Sequence, residues 1–172
     1  MSEITPDTKD WTWVINEPCP DCGLDAAHVD YDDIPGRLHA NAASWVEVLQ
    51  REDVKTRPSP DVWSPLEYAC HVRDVFVLFD QRLVRMLTED DPLFANWDQD
   101  ETAVQEKYAE QDPATVAAQI PPAAQQLANR FAQVTDRART GRRSDGAAFT
   151  IESFARYLLH DPVHHLHDVR RG

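Results

Sequence analysis

The 172-residue sequence predicts an all-α protein, a four-helix bundle preceded by an irregular N-terminal arm. Three observations carry that expectation. Glycine is scarce, with five residues, and the middle of the chain is rich in alanine, which favours helix over sheet. Four long segments place apolar residues three or four positions apart, the period of one buried helical face. Helix-start signals stand before them. The length suits a single domain with a real core, divided into an arm with a Cys-x-x-Cys turn, residues 1–30, and a four-helix-bundle domain, residues 31–172.

In the arm, Trp11, Trp13, Val14 and Ile15 are apolar enough to pack, and Pro18-Cys19-Pro20-Asp21-Cys22-Gly23 reads as a tight turn. The first helix follows Asp33, with Pro35 in its opening turn and Ile34, Leu38, Ala42, Trp45 and Leu49 on one face. A loop rich in proline and charge, Glu52 to Trp63, leads to the clearest start in the chain. There Ser64 is the N-cap, Pro65 the first helical residue and Glu67 the partner that completes a capping box. This second helix runs to about Thr88 and is apolar on most sides, as a central helix should be. Asp91 to Asp100 is expected as a loop, with a short helix from Glu101 to Ala109 after it. The third long helix begins at Pro113, and Pro121 and Pro122 are expected to kink or interrupt it. Arg137 to Ala148 reads as an exposed loop. The last helix starts with Thr150 as N-cap, with Phe149 and Phe154 spaced for a hydrophobic staple, and it carries Pro162 inside.

The formal net charge is -13 and the pI about 4.8. That balance repels nucleic-acid phosphates and anionic lipid, and Arg170 and Arg171 are too few to reverse it, so neither nucleic acid nor membrane is an expected partner. No apolar run approaches the roughly 18 residues of a membrane span, and the polar stretch Met1–Asp10 has no signal-peptide pattern. Three cysteines, an odd number, argue against a disulfide framework, and the expected location is cytoplasmic.

The chemistry concentrates in the last helix, His160-Asp161-Pro162-Val163-His164-His165-Leu166-His167-Asp168, which holds four of the seven histidines. Side chains four apart on a helix point the same way and can grip one ion. Two registers satisfy this, His160 with His164 or Asp161 with His165. Imidazole and carboxylate suit zinc, nickel, iron or manganese. At about 100° per residue, Asp161 and His165 fall at the edge of the core face set by Ile151, Phe154, Ala155, Leu158, Leu166 and Val169. His160, His164 and His167 point largely away from it. Bundle metal sites use inward side chains, which favours Asp161 and His165. His71, the only histidine of the second helix, is the natural third ligand, and three protein ligands leave a position open for chemistry. Asp168, close beyond His165, can orient a ligand imidazole. A solvated helix end with no metal role is the bland alternative.

Trp63-Ser64-Pro65-Leu66-Glu67-Tyr68-Ala69-Cys70-His71 resembles the helix-two motif of DinB-like proteins, where a tryptophan precedes a metal-binding histidine by eight positions. The C-terminal run resembles that family's second motif, a ligand followed four residues later by histidine. The likeness spans about residues 33–170. It implies a four-helix bundle with a divalent metal, commonly held by three histidines. Here Asp161 stands at the first position of the second motif, which is similar to the mycothiol-dependent maleylpyruvate isomerases, whose site uses two histidines and an acidic residue. The resemblance thus implies His71, Asp161 and His165 as ligands, with His160 and His164 the alternative register. It also implies a low-molecular-weight thiol as co-substrate of a thiol S-transferase or isomerase acting on a small molecule. A non-catalytic metal-binding or stress-response module is the competing reading, and a helical protein that homodimerises through an exposed bundle face is a third.

Cys19 and Cys22 resemble half of a zinc knuckle, but a structural zinc site needs four ligands and no second Cys-x-x-Cys exists. His28 and Cys70 are conceivable additions that nothing in the sequence brings near. The favoured reading is a turn with reduced cysteines, Cys70 being a core residue. Trp97, with Asp98 and Asp100, reads as an exposed acidic turn rather than a cover for the site. Trp11 and Trp13 read as packing anchors for the arm, and His39 has no assigned role.

Overall fold

The computed structural model describes residues 4–7 and 10–171. Residues 1–3, 8 and 9, within the opening polar stretch, and Gly172 lie outside the described residues. Helix α1 spans Ile34–Val48 and buries Ile34, Leu38, Ala42, Trp45 and Val48 along one face, with Leu49 buried directly after it. Helix α2, Pro65–Thr88, begins with the expected capping box: Glu67 N–H donates to Ser64 Oγ at 3.2 Å and Ser64 N–H to Glu67 Oε2 at 2.8 Å. Satisfying these first amides fixes where α2 starts, and therefore where His71 sits.

After α2 come strand β1 (Leu93–Phe94), the short helix α3 (Gln99–Gln105) and helix α4 (Pro113–Gln133). Strands β2 (Thr140–Arg143) and β3 (Ala148–Thr150) then lead into α5, Ile151–Arg171. Thr150 Oγ1 accepts the Ser153 amide at 3.1 Å, and the Phe149 and Phe154 rings meet at 6.0 Å, so both features expected at this helix start are present. The four long helices α1, α2, α4 and α5 enclose one apolar core. In this four-helix bundle α1 and α2 make their principal contacts with α4 and α5 rather than with each other. Asp80 of α2, itself buried, ties that helix to α4 by accepting from Arg130 Nε at 2.5 Å and Gln126 Nε2 at 2.9 Å.

Two expectations are corrected. The stretches 91–100 and 137–148, read as loops, contribute a three-stranded sheet in the order β1-β2-β3, with β1 parallel to β2 and β2 antiparallel to β3. Strands of two to four residues are too short to show alternation in sequence. The sheet closes one end of the core, and Gly141 is where it presses hardest. A Cβ there would lie 2.7 Å from the Phe94 ring and 2.9 Å from Met86. The second correction concerns the interruption expected at Pro121 and Pro122, since α4 continues through both from Pro113 to Gln133. Both prolines are exposed, opposite a buried face of Val116, Ile120, Ala124, Leu127 and Phe131, so water can solvate the carbonyls they leave without a partner.

Glu67 is buried and is also clasped by Arg57, through Nε at 2.9 Å and Nη2 at 2.5 Å. Burial opposes its ionisation, but Arg57 and the Ser64 amide outweigh that and hold the carboxyl below its ordinary 4.5. A depressed folded pKa means the stabilisation is complete above the unfolded value and is lost as pH falls through the folded one. Glu67→Gln is expected to lower the unfolding free energy near pH 7 by about 2 kcal/mol. In urea titrations that deficit should shrink as the solution is acidified below the carboxylate range. A deficit unchanged by acid would show that the charge of Glu67 is not what stabilises the cap.

Candidate metal centre

Helix α2 delivers His71 in its second turn, and α5 delivers Asp161 and His165, one turn apart on a single face. His71 is fully buried, and its Nε2 lies 3.2 and 3.3 Å from the two carboxylate oxygens of Asp161. His165 Nε2 lies 3.6 Å from Asp161 Oδ2. One donor atom from each of the three residues falls within 4.8 Å of the others. Trp63 and Trp97 hold the His71 ring, with centroids 5.4 and 5.5 Å away, Trp97 stacked almost parallel at 12°. Tyr68 holds the His165 ring from 4.9 Å.

The electrostatics follow from these neighbours. Burial disfavours a charged Asp161, yet the His71 and His165 imidazoles prevail and hold its carboxyl well below the usual range. Burial likewise opposes a cationic His165, but Asp161 and Asp168 push its pKa up to about 9. His71 Nδ1 is buried with no hydrogen-bond partner. Two imidazoles converging on one carboxylate, with one donor atom of each residue within 4.8 Å of the others, fit a divalent cation of the zinc, nickel, iron or manganese type. Asp168 Oδ2 sits 3.4 Å from His165 Nδ1, within electrostatic reach but without hydrogen-bond geometry, and 3.6 Å from His164 Nε2.

Asp161 and His165 border a cavity of about 300 Å³. Val75, Phe79, Trp97 and Tyr157 supply much of its wall, Trp11 of the arm contributes another part, and Arg82 and Arg143 line it too. Asp161 keeps 32% of its side chain accessible, so the carboxylate is not sealed by its partners. Sequence reading missed Arg82, Arg143 and Tyr157, because an isolated arginine or tyrosine carries no spacing signal. Trp97 is corrected: it is half-buried against His71 rather than an exposed turn residue. Asp98 instead caps α3, accepting from the Asp100 and Glu101 amides.

The expected setting of His160 and His164, on a face turned away from the interior, also requires correction. His160 is only 4% exposed and His164 is half-buried. The arm covers them, with the Trp11 ring 5.1 Å from His160 and 5.0 Å from His164. The face of α5 that a bare helix would give to solvent is therefore an interior surface. Burial, reinforced by repulsion from His164, pulls the His160 pKa down to about 4. The same packing brings Cys19 and Cys22 to these two histidines, one donor atom from each lying within 4.8 Å of the others. His28 is exposed and pairs with Asp25, while Cys70 is buried near Gln111, so neither joins a cluster. His39 is exposed, and His167 belongs to neither group.

Asp168→Asn keeps the shape but removes the charge facing His165 and His164. It is expected to weaken metal binding roughly 10- to 100-fold, as read by competition against a chromophoric chelator. Unchanged affinity would show that Asp168 does not orient the ligand rings.

No protein of curated function matches the chain. Among solved structures, YfiT from Bacillus subtilis, described as "a probable metal-dependent hydrolase with an unusual four-helix bundle topology", superposes with a TM-score of 0.65 at 17% sequence identity. The match covers 99% of this chain and 94% of that one, and at such identity it speaks for the fold. The sequence pattern of the DinB superfamily matches residues 37–169, from the first helix through both arms of the His71, Asp161 and His165 cluster. The chain belongs to the DinB superfamily.

Proposed function

We propose that the chain is a metal-dependent enzyme in which His71, Asp161 and His165 hold a divalent cation whose remaining position faces the cavity. The observation that carries this reading is that two of the three ligand residues line that cavity while the third is fully buried beneath them. A closed structural site would have no such opening. When bound, the metal supplies a Lewis acid that lowers the pKa of the group in its remaining position.

The chain's own groups then define what can enter. Arg82 is half-buried, with its guanidinium 5.6 Å from the Phe79 ring and 5.2 Å from the Phe94 ring. Its Nη2 donates to the Ala95 carbonyl at 3.0 Å, and no carboxylate pairs with it among the described residues. Arg143, by contrast, is already clasped by Asp145 and donates to Tyr157 Oη at 3.0 Å. Arg82 is therefore the cation available to a substrate anion, with donors suited to a carboxylate. Trp11, Phe79, Trp97 and Tyr157 add aromatic surface beside it.

The co-substrate of this reading is a low-molecular-weight thiol carrying carboxylates, and the reaction is S-transfer or isomerisation of a small electrophile. The sulfur bonds to the electrophilic carbon and the thiol proton leaves to solvent. In transfer the carbon loses its leaving group; in isomerisation the thiol is released again. The likeness to YfiT favours a second reading, hydrolysis, in which water replaces the thiol.

One assay separates them. Metal-loaded protein is mixed with a slow fluorogenic electrophile and mycothiol or another bacterial thiol, and separately with an ester and amide panel without thiol. Thiol conjugation faster than the thiol alone, abolished by His71→Ala, is expected. Cleavage without thiol would replace transfer by hydrolysis. Inactivity in both arms, with metal fully bound, would reduce the chain to a binding module. Arg82→Gln is expected to raise KM for the anionic partner about tenfold or more while leaving metal content intact. A drop in kcat at unchanged KM would remove Arg82 as the anion anchor.

A further inference from the structure

We infer that the chain holds a second metal ion, a structural zinc bound by Cys19, Cys22, His160 and His164. This inference stands apart from the proposed reaction, since it shares no ligand with the His71, Asp161 and His165 centre. The four donor atoms lie within 4.8 Å of one another, with Cys19 Sγ 3.7 Å from His164 Nδ1. Zinc–sulfur bonds near 2.3 Å and zinc–nitrogen bonds near 2.0–2.1 Å give a tetrahedron with edges of roughly 3.3–3.8 Å. The cluster closes to that size by side-chain adjustments of about 1 Å, with no change of fold.

The ligand spacing has a physical basis on both sides. Cys19 and Cys22 flank a tight turn in which Gly23 N–H donates to the Cys19 carbonyl and Cys19 N–H to the Leu24 carbonyl, each at 2.9 Å. Gly23 closes it at φ +77°, a conformation that glycine adopts without strain. The two sulfurs of such a turn face one side. On α5, His160 and His164 are one turn apart and meet with ring centroids 4.9 Å from each other. Cys-x-x-Cys with His-x-x-x-His is a ligand pattern of structural zinc sites.

Three further observations point to an ion rather than to packing alone. Both cysteines are free thiols, so no disulfide accounts for their approach. His160 is 4% exposed and its Nε2 is buried without a hydrogen-bond partner, a costly state that a bond to metal relieves. His164 presents Nδ1 to Cys19 and Nε2 toward Asp168 at 3.6 Å, where a small closing movement on binding an ion would let that carboxylate orient the ring. His160 and His164 also border the cavity, but four protein donors fill the tetrahedron, so the ion keeps no coordination position for substrate.

What such an ion does follows from the sequence separation. Cys19 and His164 are 145 positions apart, so the zinc would staple the arm to the far end of the chain. Trp11, which lines the cavity, is held within the same segment. The structural zinc would therefore fix one wall of the reaction chamber.

The test begins with untagged protein, its metal content measured by mass spectrometry and its zinc exchanged for cobalt. Wild type is expected to bind about two equivalents, and its cobalt form to show thiolate-to-cobalt charge transfer in the near ultraviolet. Cys22→Ser should lose one equivalent and that absorption, while His71→Ala should lose the other equivalent and keep the absorption. Chelation of the zinc should make the arm cleavable by protease ahead of the bundle. If Cys22→Ser does not fold, the wild-type cobalt spectrum still decides, because only the cysteine site supplies sulfur. Cobalt-saturated wild type without a thiolate band, or Cys22→Ser retaining both equivalents, would overturn the inference.

Discussion

Asp161 lies between His71 and His165 inside the bundle, and this convergence organises the rest of the structure. A carboxylate and two imidazoles are costly to bury singly, and together they satisfy one another or a cation. The convergence needs α2 and α5 as neighbours in fixed register. The capping box at Ser64 and Glu67 fixes one helix, and Thr150 with the Phe149 and Phe154 pair fixes the other. Asn41 of α1 adds a buried donation to the Pro162 carbonyl at 3.2 Å, next to Asp161 in the chain. The remaining helices and the small sheet complete the core around this pair.

Helix α5 works through its rotation. A step of one residue turns a side chain by about 100°. Hence Asp161 and His165 face α2, while His160 and His164 face the arm. Two pairs offset by one position therefore join two separate clusters, one of three donors and one of four, and both pairs border the cavity. Asp168 stands between them, within 3.4 Å of His165 and 3.6 Å of His164.

Much of this was legible in the sequence. The ends of α2, the Thr150 start of α5 and the buried face of α1 follow from capping chemistry and helical period, which are local. The grouping of His71 with Asp161 and His165 also followed, because phase singles out one face and the family motif agrees. Three things were not legible. The fate of His160 and His164 depended on what covers α5, and the arm's docking is set by contacts between residues more than a hundred positions apart. The strands at Leu93–Phe94 and Thr140–Arg143 are too short to carry a period. Arg82 and Trp97 gain their place from tertiary packing alone. The turn at Cys19 and Cys22 was read as one with reduced cysteines, because nothing local in the sequence places it beside His160 and His164.

The most direct measurement of the central claim is a crystal structure of the purified chain with diffraction recorded on both sides of the metal's absorption edge. The expected anomalous peak lies within about 2.0–2.2 Å of a nitrogen of His71, a nitrogen of His165 and an oxygen of Asp161, on the cavity side. A metal-containing crystal with no peak at that place, the three side chains instead bonded only to one another, would contradict the account.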